Sequence, residues 1–427
     1  MNILLDGHDI SLVGGIERFT ASLASVMAQR GHNVFLFTYA PEGTRHRFAL
    51  DPAVKPVHYP FTGDQAHIPG LRRQALACAP DVLISPASYN NHLLWCAMLE
   101  GTDIPWVYSE RNDPWVIEKE RWKQPERRAA LCVADRVHML LDGYADTVPP
   151  AARERVRIIP NPVCIQSDGL TGRDGERKIL LSVGRLDKSK QNHLLLDAFA
   201  LLSPAFPLWR LDIWGEGPEQ LSLQKQAACL GLRNKARLCG LTLAPEEQYA
   251  SADIFCIPSR HEGLPNVVIE AMACGLPVVG FAGCPALKGI VRHGETGLLA
   301  PDMNAESLAL SLRALMENEA LRRTMGEKAI QAAQAYRPER IFDAWEALLR
   351  ETAACKGNTR LRECLAGGAA DAELEQHFTV MREILGRKNV LLRDSQWARR
   401  IARRHPLLKK ALQPFRLAVS RLTGDKT

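Results

Sequence analysis

Two carboxylates, Glu262 and Glu270, and two cations, Arg185 and Lys190, are the residues whose types and spacing most readily do chemistry. The glutamates are separated by seven residues within 259–279, which reads SRHEGLPNVVIEAMACGLPVV. Ahead of them 253–258 is a short apolar run suited to a buried parallel strand, and 277–281 is another. One short helix fits between: Pro265 suits its first position, and Gly275 the residue past its end, where φ turns positive. The loop from Arg260 to Leu264 therefore meets a helix N-terminus at the carboxyl edge of the strands, where unpaired N–H groups attract an anion such as phosphate. Carboxylates beside such a site accept hydrogen bonds from hydroxyls, with Glu262 placed for the reacting end of a ligand and Glu270 for a part further along. Two solvated glutamates flanking an ordinary helix would carry the same letters.

The cations come from a second strand end. Residues 178–183 form an apolar run that leads into Gly184 and then Arg185 and Lys190, ahead of a helix from Asn192. Arg185 can grip a phosphate with its fork and Lys190 can add a point charge. Strand-then-glycine patterns recur at Gly215 and Gly240. Near the start, Gly14 and Gly15 precede a stripe of Ile16, Phe19, Leu23 and Met27 at helical spacing, which lets backbone approach a ligand. A glycine pair before a helix is a plain turn about as often.

These residues need sheets to hold them. Strand-like runs at 2–5, 34–37, 82–84, 105–108 and 137–141 alternate with helix-like segments, the pattern of a doubly wound α/β sheet. Pro160 and Pro162 forbid regular structure, and a polar stretch at 166–176 follows, so a boundary is expected near 160. There is no G-x-G-x-x-G fingerprint after a strand and no Gly-Lys-Ser/Thr phosphate loop, which argues against a dinucleotide oxidoreductase and an ATPase.

The composition, 427 residues with 46% hydrophobic and 24% charged, suits a two-domain globular chain. Eleven cysteines without a C-x-x-C pair, no basic-then-apolar N-terminal signal and no membrane-length apolar run give the expectation of a reduced, cytoplasmic protein. Residues 387–427 hold twelve Lys and Arg against Asp394 and Asp425, so the net +6 divides into +10 there and −4 elsewhere. A mildly acidic body is not built around nucleic acid. The basic segment carries Ile401, Leu408, Leu412, Phe415, Val419 and Leu422 at mostly helical spacing, interrupted by Pro406 and Pro414. It suits the anionic inner face of a cell membrane, where each Lys or Arg contributes about 1 kcal/mol, with a partner protein or the chain's own body as other occupants. Arg121, Arg127 and Arg128 read most simply as a solvated helix face.

The strings EGLPNV and AMACGLPVV around the spaced glutamates, with the Gly-Arg-Leu-three-residues-Lys motif ending at Lys190, resemble the retaining glycosyltransferases of family 4, among them bacterial cell-surface polysaccharide transferases. The resemblance covers about 1–350 and implies a GT-B fold of two Rossmann-like, doubly wound lobes. Residues 1–160 would bind the acceptor and 161–335 the donor, 336–350 would cross back as a helix, and 351–427 would be a basic helical extension. The implied activity moves a sugar from a nucleotide diphosphate sugar to a glycan or polyprenyl-diphosphate-linked acceptor with retention, the donor being a substrate and no cofactor or metal being needed. Glu262, Arg185, Lys190 and Glu110 would be catalytic. Gly14, Gly15, Gly215, Gly240, Gly263, Leu264, Pro265, Asn266 and Glu270 would bind the donor. Glu110 stands where many members have a histidine near the reacting sugar, and Ser109-Glu-Arg-Asn112 resembles a variant of transferases of N-acetylated sugars, which favours UDP-HexNAc. A structural ion pair of Glu110 with Arg111 is an equal reading, and His8 is expected on the acceptor side. A nucleotide-sugar epimerase and a non-catalytic scaffold on the same fold are the alternatives.

Overall fold

The computed structural model describes residues 1–7, 9–12, 14–38, 40–59, 68–87, 92–119, 124–163, 178–242 and 245–355. His8, Arg121, the polar stretch 166–176 and the basic segment 387–427 lie outside the described residues.

Two sheets organise the chain. The first contains β1 (Asn2–Asp6), β2 (Asn33–Thr38), β3 (Lys55–His58), β4 (Val82–Ala87), β5 (Trp106–Glu110), β6 (Arg136–Met139) and β7 (Val156–Ile158), in the order β3-β2-β1-β4-β5-β6-β7. The second contains β8 (Lys178–Val183), β9 (Trp209–Trp214), β10 (Ala236–Gly240), β11 (Ile254–Ile257), β12 (Val278–Phe281) and β13 (Gly297–Ala300), in the order β10-β9-β8-β11-β12-β13. The ladders are parallel, with Ile3 opposite Val34 and Val82 in one and Phe255 opposite Leu181 and Val278 in the other. Helices cover the strands, so the central ones are apolar along their length rather than alternating: Ile3, Leu4 and Leu5 are buried, as are all four residues of β11. Around the second sheet Leu180, Leu196, Phe199, Leu211, Ile254, Phe281, Leu308 and Leu312 close one core.

The strands expected from apolar runs are present, and three others were not anticipated. All three are edge strands: β3 carries a lysine and a proline, β7 has an arginine between two aliphatics, and β13 is a four-residue strand that opens on Gly297. Proline is tolerated at an edge because no inner ladder bond is lost, and edges do not need the continuous apolar run that marks a central strand.

The described residues divide into two compact units, one holding Met1–Trp106 and Pro125–Asp135, the other Val107–Gln124 and Arg136–Cys355. In the second unit the helix Pro338–Ala353 buries Ile341, Phe342, Trp345, Leu348 and Leu349, spaced for one face. Its last turn is tied down by Glu351, which accepts from Arg136 at 2.9 Å and Arg157 at 2.5 Å. Trp345 packs its ring against the fully buried His138 of β6, with centroids 4.4 Å apart and planes tilted by 41°. No helix among the described residues is long and apolar enough to cross a membrane.

Candidate active site

The glutamate loop lies as its flanks require. It leaves β11 and enters the helix Asn266–Ala273, which ends before Gly275 at φ +72°. Pro265 is the N-cap rather than the first helical residue, with ψ 93°, so Asn266 opens the helix. Opposite this loop, the strand end of β8 turns through Lys188–Lys190, where Asp187 caps by accepting from the Ser189 N–H at 2.9 Å.

The two halves meet in an ion pair: Lys190 Nζ lies 2.5 Å from Glu262 Oε1, and the carboxylate is only 10% exposed. Arg185, 72% exposed, turns the other way and donates from Nε to Asp187 at 2.7 Å. Burial alone would raise the Asp187 pKa, but the Ser189 hydroxyl and Arg185 outweigh it and hold the group below its ordinary value. Asp187 thus stays an anion that stores the Arg185 fork beside the loop. The backbone of Arg260 is pinned to the same turn, donating to the Ser189 carbonyl at 2.9 Å.

Glu270 lies one turn into the helix, and Tyr249 Oη donates to its Oε2 at 2.9 Å. Tyr249 belongs to the short helix Pro245–Ser251 and packs edge-on against Phe255 of β11. Burial, then the Glu270 charge, pushes its phenol pKa far up, so it remains a donor. Gly215 and Gly240 are adjacent at the ends of β9 and β10, the Gly215 N–H donating to the Gly240 carbonyl at 2.7 Å. Gly215 has φ +140°, and a Cβ there would lie 1.9 Å from the Gly184 carbonyl oxygen, so only glycine fits where these turns touch. Gly14, in the first unit, is the extended N-cap of the helix Gly15–Gln29, and the space beside Gly15 is open.

Glu110 ends β5 and is 1% exposed, accepting from Tyr108 Oη at 3.2 Å. Its neighbour Arg111 is also buried. Burial pulls the Arg111 pKa down to about 9 while the Glu110 charge acts the other way. Arg111 donates to the Asn161 side chain, whose amide nitrogen donates in turn to Asn266 Oδ1 at 2.8 Å. Asp113 stands 3.4 Å from His261 Nδ1.

Sequence reasoning missed four residues that hold this site: Tyr144, Asn161, Tyr249 and Asp187. Asn161 sits between the two prolines taken for a boundary, and Asp187 lies inside the cation motif. Tyr144 Oη lies 2.7 Å from the Glu262 carbonyl oxygen and 2.9 Å from that of Gly263. His138 was read only as part of a strand. Its Nε2 donates to the Ile159 carbonyl at 2.7 Å, which leaves Nδ1 to accept from Ser109 Oγ at 2.9 Å, and burial followed by Arg111 drives its pKa well below the ordinary value. It is a neutral structural histidine.

Two parallel, helix-covered sheets, with a cation, a carboxylate and a helix N-terminus gathered at the carboxyl edge of the second, define a GT-B-type α/β protein. The chain belongs to the glycosyltransferases: residues 13–167 match the model of Glycosyltransferase Family 4 and residues 168–332 that of Glycosyl transferases group 1. It is 37% identical over 174 residues to an uncharacterized glycosyltransferase of Haemophilus influenzae, a match spanning 41% of this chain and 49% of that one. It is 26% identical over 345 residues to the lipopolysaccharide core biosynthesis glycosyltransferase LpsE of Rhizobium meliloti, covering 79% of this chain and 96% of the relative. A third relative, the N-acetylgalactosamine-N,N'-diacetylbacillosaminyl-diphospho-undecaprenol 4-alpha-N-acetylgalactosaminyltransferase of Campylobacter jejuni, is 35% identical over 176 residues, 40% of this chain and 47% of its own. The chain thus spans about half the length of the first and third of these relatives. Among solved structures, sucrose-phosphate synthase from Thermosynechococcus elongatus aligns with a TM-score of 0.69 at 20% identity, over 82% of this chain and 98% of that one. Anabaena HepE in complex with UDP and glucose aligns at 0.65 and 18%, over 83% and 100%. These likenesses concern the fold.

Proposed function

We propose that this glycosyltransferase takes a UDP-sugar, an N-acetylhexosamine in the favoured case, and transfers the sugar with retention to a glycan or polyprenyl-diphosphate-linked acceptor in surface polysaccharide synthesis. The observation that carries the reading is the convergence of Lys190, Glu262 and the N-terminus of the helix Asn266–Ala273 beside the stored fork of Arg185. As the bond from the sugar to the diphosphate breaks, negative charge grows on the leaving oxygens. Lys190 and the peptide N–H groups of Gly263, Leu264 and Asn266 are donors to meet it, with the fork of Arg185 released from Asp187 to join them, the kind of electrostatic stabilisation that usually dominates such a step. Glu262 steadies the sugar and Glu270, oriented by Tyr249, takes the ribose. Gly215 and Gly240 let the nucleotide approach backbone, and Gly14 and Gly15 open the backbone of the first unit to a ligand. Glu110 faces the reacting sugar. The names of relatives support a lipid-linked acceptor and an N-acetylated donor, and the Anabaena neighbour, solved with UDP and glucose, supports the uridine nucleotide.

The test is incubation of the enzyme with a panel of UDP-sugars and a polyprenyl-diphosphate glycan, with the product's anomeric configuration read by NMR. A transferred α-linked sugar from an α-linked donor supports the reading, whereas inversion, or conversion of the donor alone as by an epimerase, removes it. We also place the chain at the inner face of the membrane through 387–427, by its net +10. Loss of salt-sensitive binding to anionic vesicles on deleting that segment supports this, and unchanged binding overturns it.

A further inference from the structure

We propose that Tyr144 is the positioning residue of the glutamate loop: by holding the carbonyl oxygens of Glu262 and Gly263 it aims the peptide N–H groups of Gly263 and Leu264 at the leaving diphosphate. The inference rests on the donor site proposed above. Its physical basis is peptide planarity. In a trans peptide the C=O of one residue and the N–H of the next point in opposite directions. Both carbonyls face the Tyr144 hydroxyl, at 2.7 and 2.9 Å, so the next two N–H groups are turned away from it. Neither N–H donates to any backbone or side-chain acceptor among the described residues. Two adjacent, outward-turned N–H groups just before a helix N-terminus form an anion nest.

The same loop is clamped from behind. A Cβ on Gly263 would stand 2.3 Å from the Arg111 carbonyl oxygen, so backbone lies against backbone there. The Arg111–Asn161–Asn266 chain fixes the first helical residue from the same side. Tyr144 is 1% exposed in the 3-10 turn Asp142–Thr147. Burial, then the charges of Asp113, Cys284, Glu262 and Glu110, pushes its pKa up, so the phenol keeps its proton and remains a donor at all working pH values. One hydroxyl proton shared between two carbonyls sets direction more than it adds strength.

Tyr144→Phe removes the hydroxyl and keeps the ring. Turnover is expected to fall about tenfold to a hundredfold, since losing a whole preorganised donor costs about 10²–10³ and here two are misaimed rather than deleted. Calorimetry should show UDP affinity falling more than UMP affinity, because only the second phosphate meets the nest, and hydrogen exchange should quicken at 259–266 without change elsewhere. Equal losses for UDP and UMP with faster exchange throughout the chain would mark a merely structural tyrosine and overturn the proposal, as would turnover and exchange equal to wild type. If the wild-type enzyme binds no UDP, the proposed function fails. Exchange at 259–266 still decides, in that case, whether Tyr144 orders the loop, and the aiming of its N–H groups at a diphosphate falls with the function.

Discussion

Lys190 Nζ stands 2.5 Å from Glu262 Oε1, so a cation and a carboxylate that the proposed chemistry assigns to different parts of the donor neutralise one another before it arrives. Separately each would be a charge in a largely dehydrated pocket without compensation, which is costly; together they are stored. Under the proposed function, a diphosphate entering beside the helix N-terminus would bring its own anion for Lys190 and free Glu262 for the sugar. Because the lysine's charge is most needed as the leaving group develops its own, Lys190→Ala should lower kcat more than it raises the donor KM, by about 10²–10³. A loss below roughly tenfold in steady-state turnover would reduce the pair to a surface ion pair.

The two glutamates should separate by assay. Tyr249 holds the Glu270 carboxylate, which the proposed function assigns to the ribose, so Glu270→Ala should weaken UDP and UDP-sugar alike, and Tyr249→Phe should do so more mildly. Glu262→Ala should leave UDP affinity within about threefold and lose turnover by about 10²-fold or more, the scale of one preorganised group. Calorimetry with UDP beside steady-state rates checks both, and equal loss of UDP affinity in Glu262→Ala and Glu270→Ala would overturn the division.

What was legible in the chain was what is local. Gly275, the helix before it and the apolar runs on either side are written within 259–279, and the structure follows them to within a residue, Pro265 moving to the cap. Lys190 and Arg185 were readable as a spaced pair, but that Arg185 would be held by Asp187 was not, since an aspartate inside a turn is equally a solvated one. Tyr144 and Asn161 were invisible because their partners lie 118 and 105 residues away, and nothing in a lone tyrosine or a Pro-Asn-Pro string states what it will touch. Edge strands β3 and β7 escaped because an edge does not demand apolar continuity, and edge strand β13 because it is only four residues long and opens on a glycine.

Gly215 joins two strand-end turns of the second sheet, and its role is steric. Gly215→Ala must adopt φ +140° and place a methyl 1.9 Å from the Gly184 carbonyl oxygen. Backbone strain of this kind costs roughly 1–3 kcal/mol before the clash is counted. The variant should unfold at a lower urea concentration and lose UDP affinity through displacement of 184–186, and a urea midpoint equal to wild type would show that the turns can part freely.

His138 gives the second unit a pH limit whose sign follows from its burial. The folded imidazole is held neutral, its pKa far below 6.5 through desolvation and the nearby Arg111, while the unfolded chain takes up a proton near the ordinary value of about 6.5. Above that pH neither state carries the proton and His138 contributes no slope. As the pH falls below about 6.5 the unfolded state binds a proton that the folded state refuses, so stability drops, by up to about 1.4 kcal/mol per pH unit from this group, until the lowered folded pKa is reached. The neutral form is also what the bonds need, since Nε2 donates to the Ile159 carbonyl and Nδ1 accepts from Ser109. Urea midpoints at pH 8, 7, 6 and 5 should therefore be level between 8 and 7 and fall from 6 to 5. His138→Gln should be less stable at pH 8, having lost the ring contact with Trp345, yet show a flatter decline. Parallel declines in wild type and variant would assign the acid sensitivity to other groups.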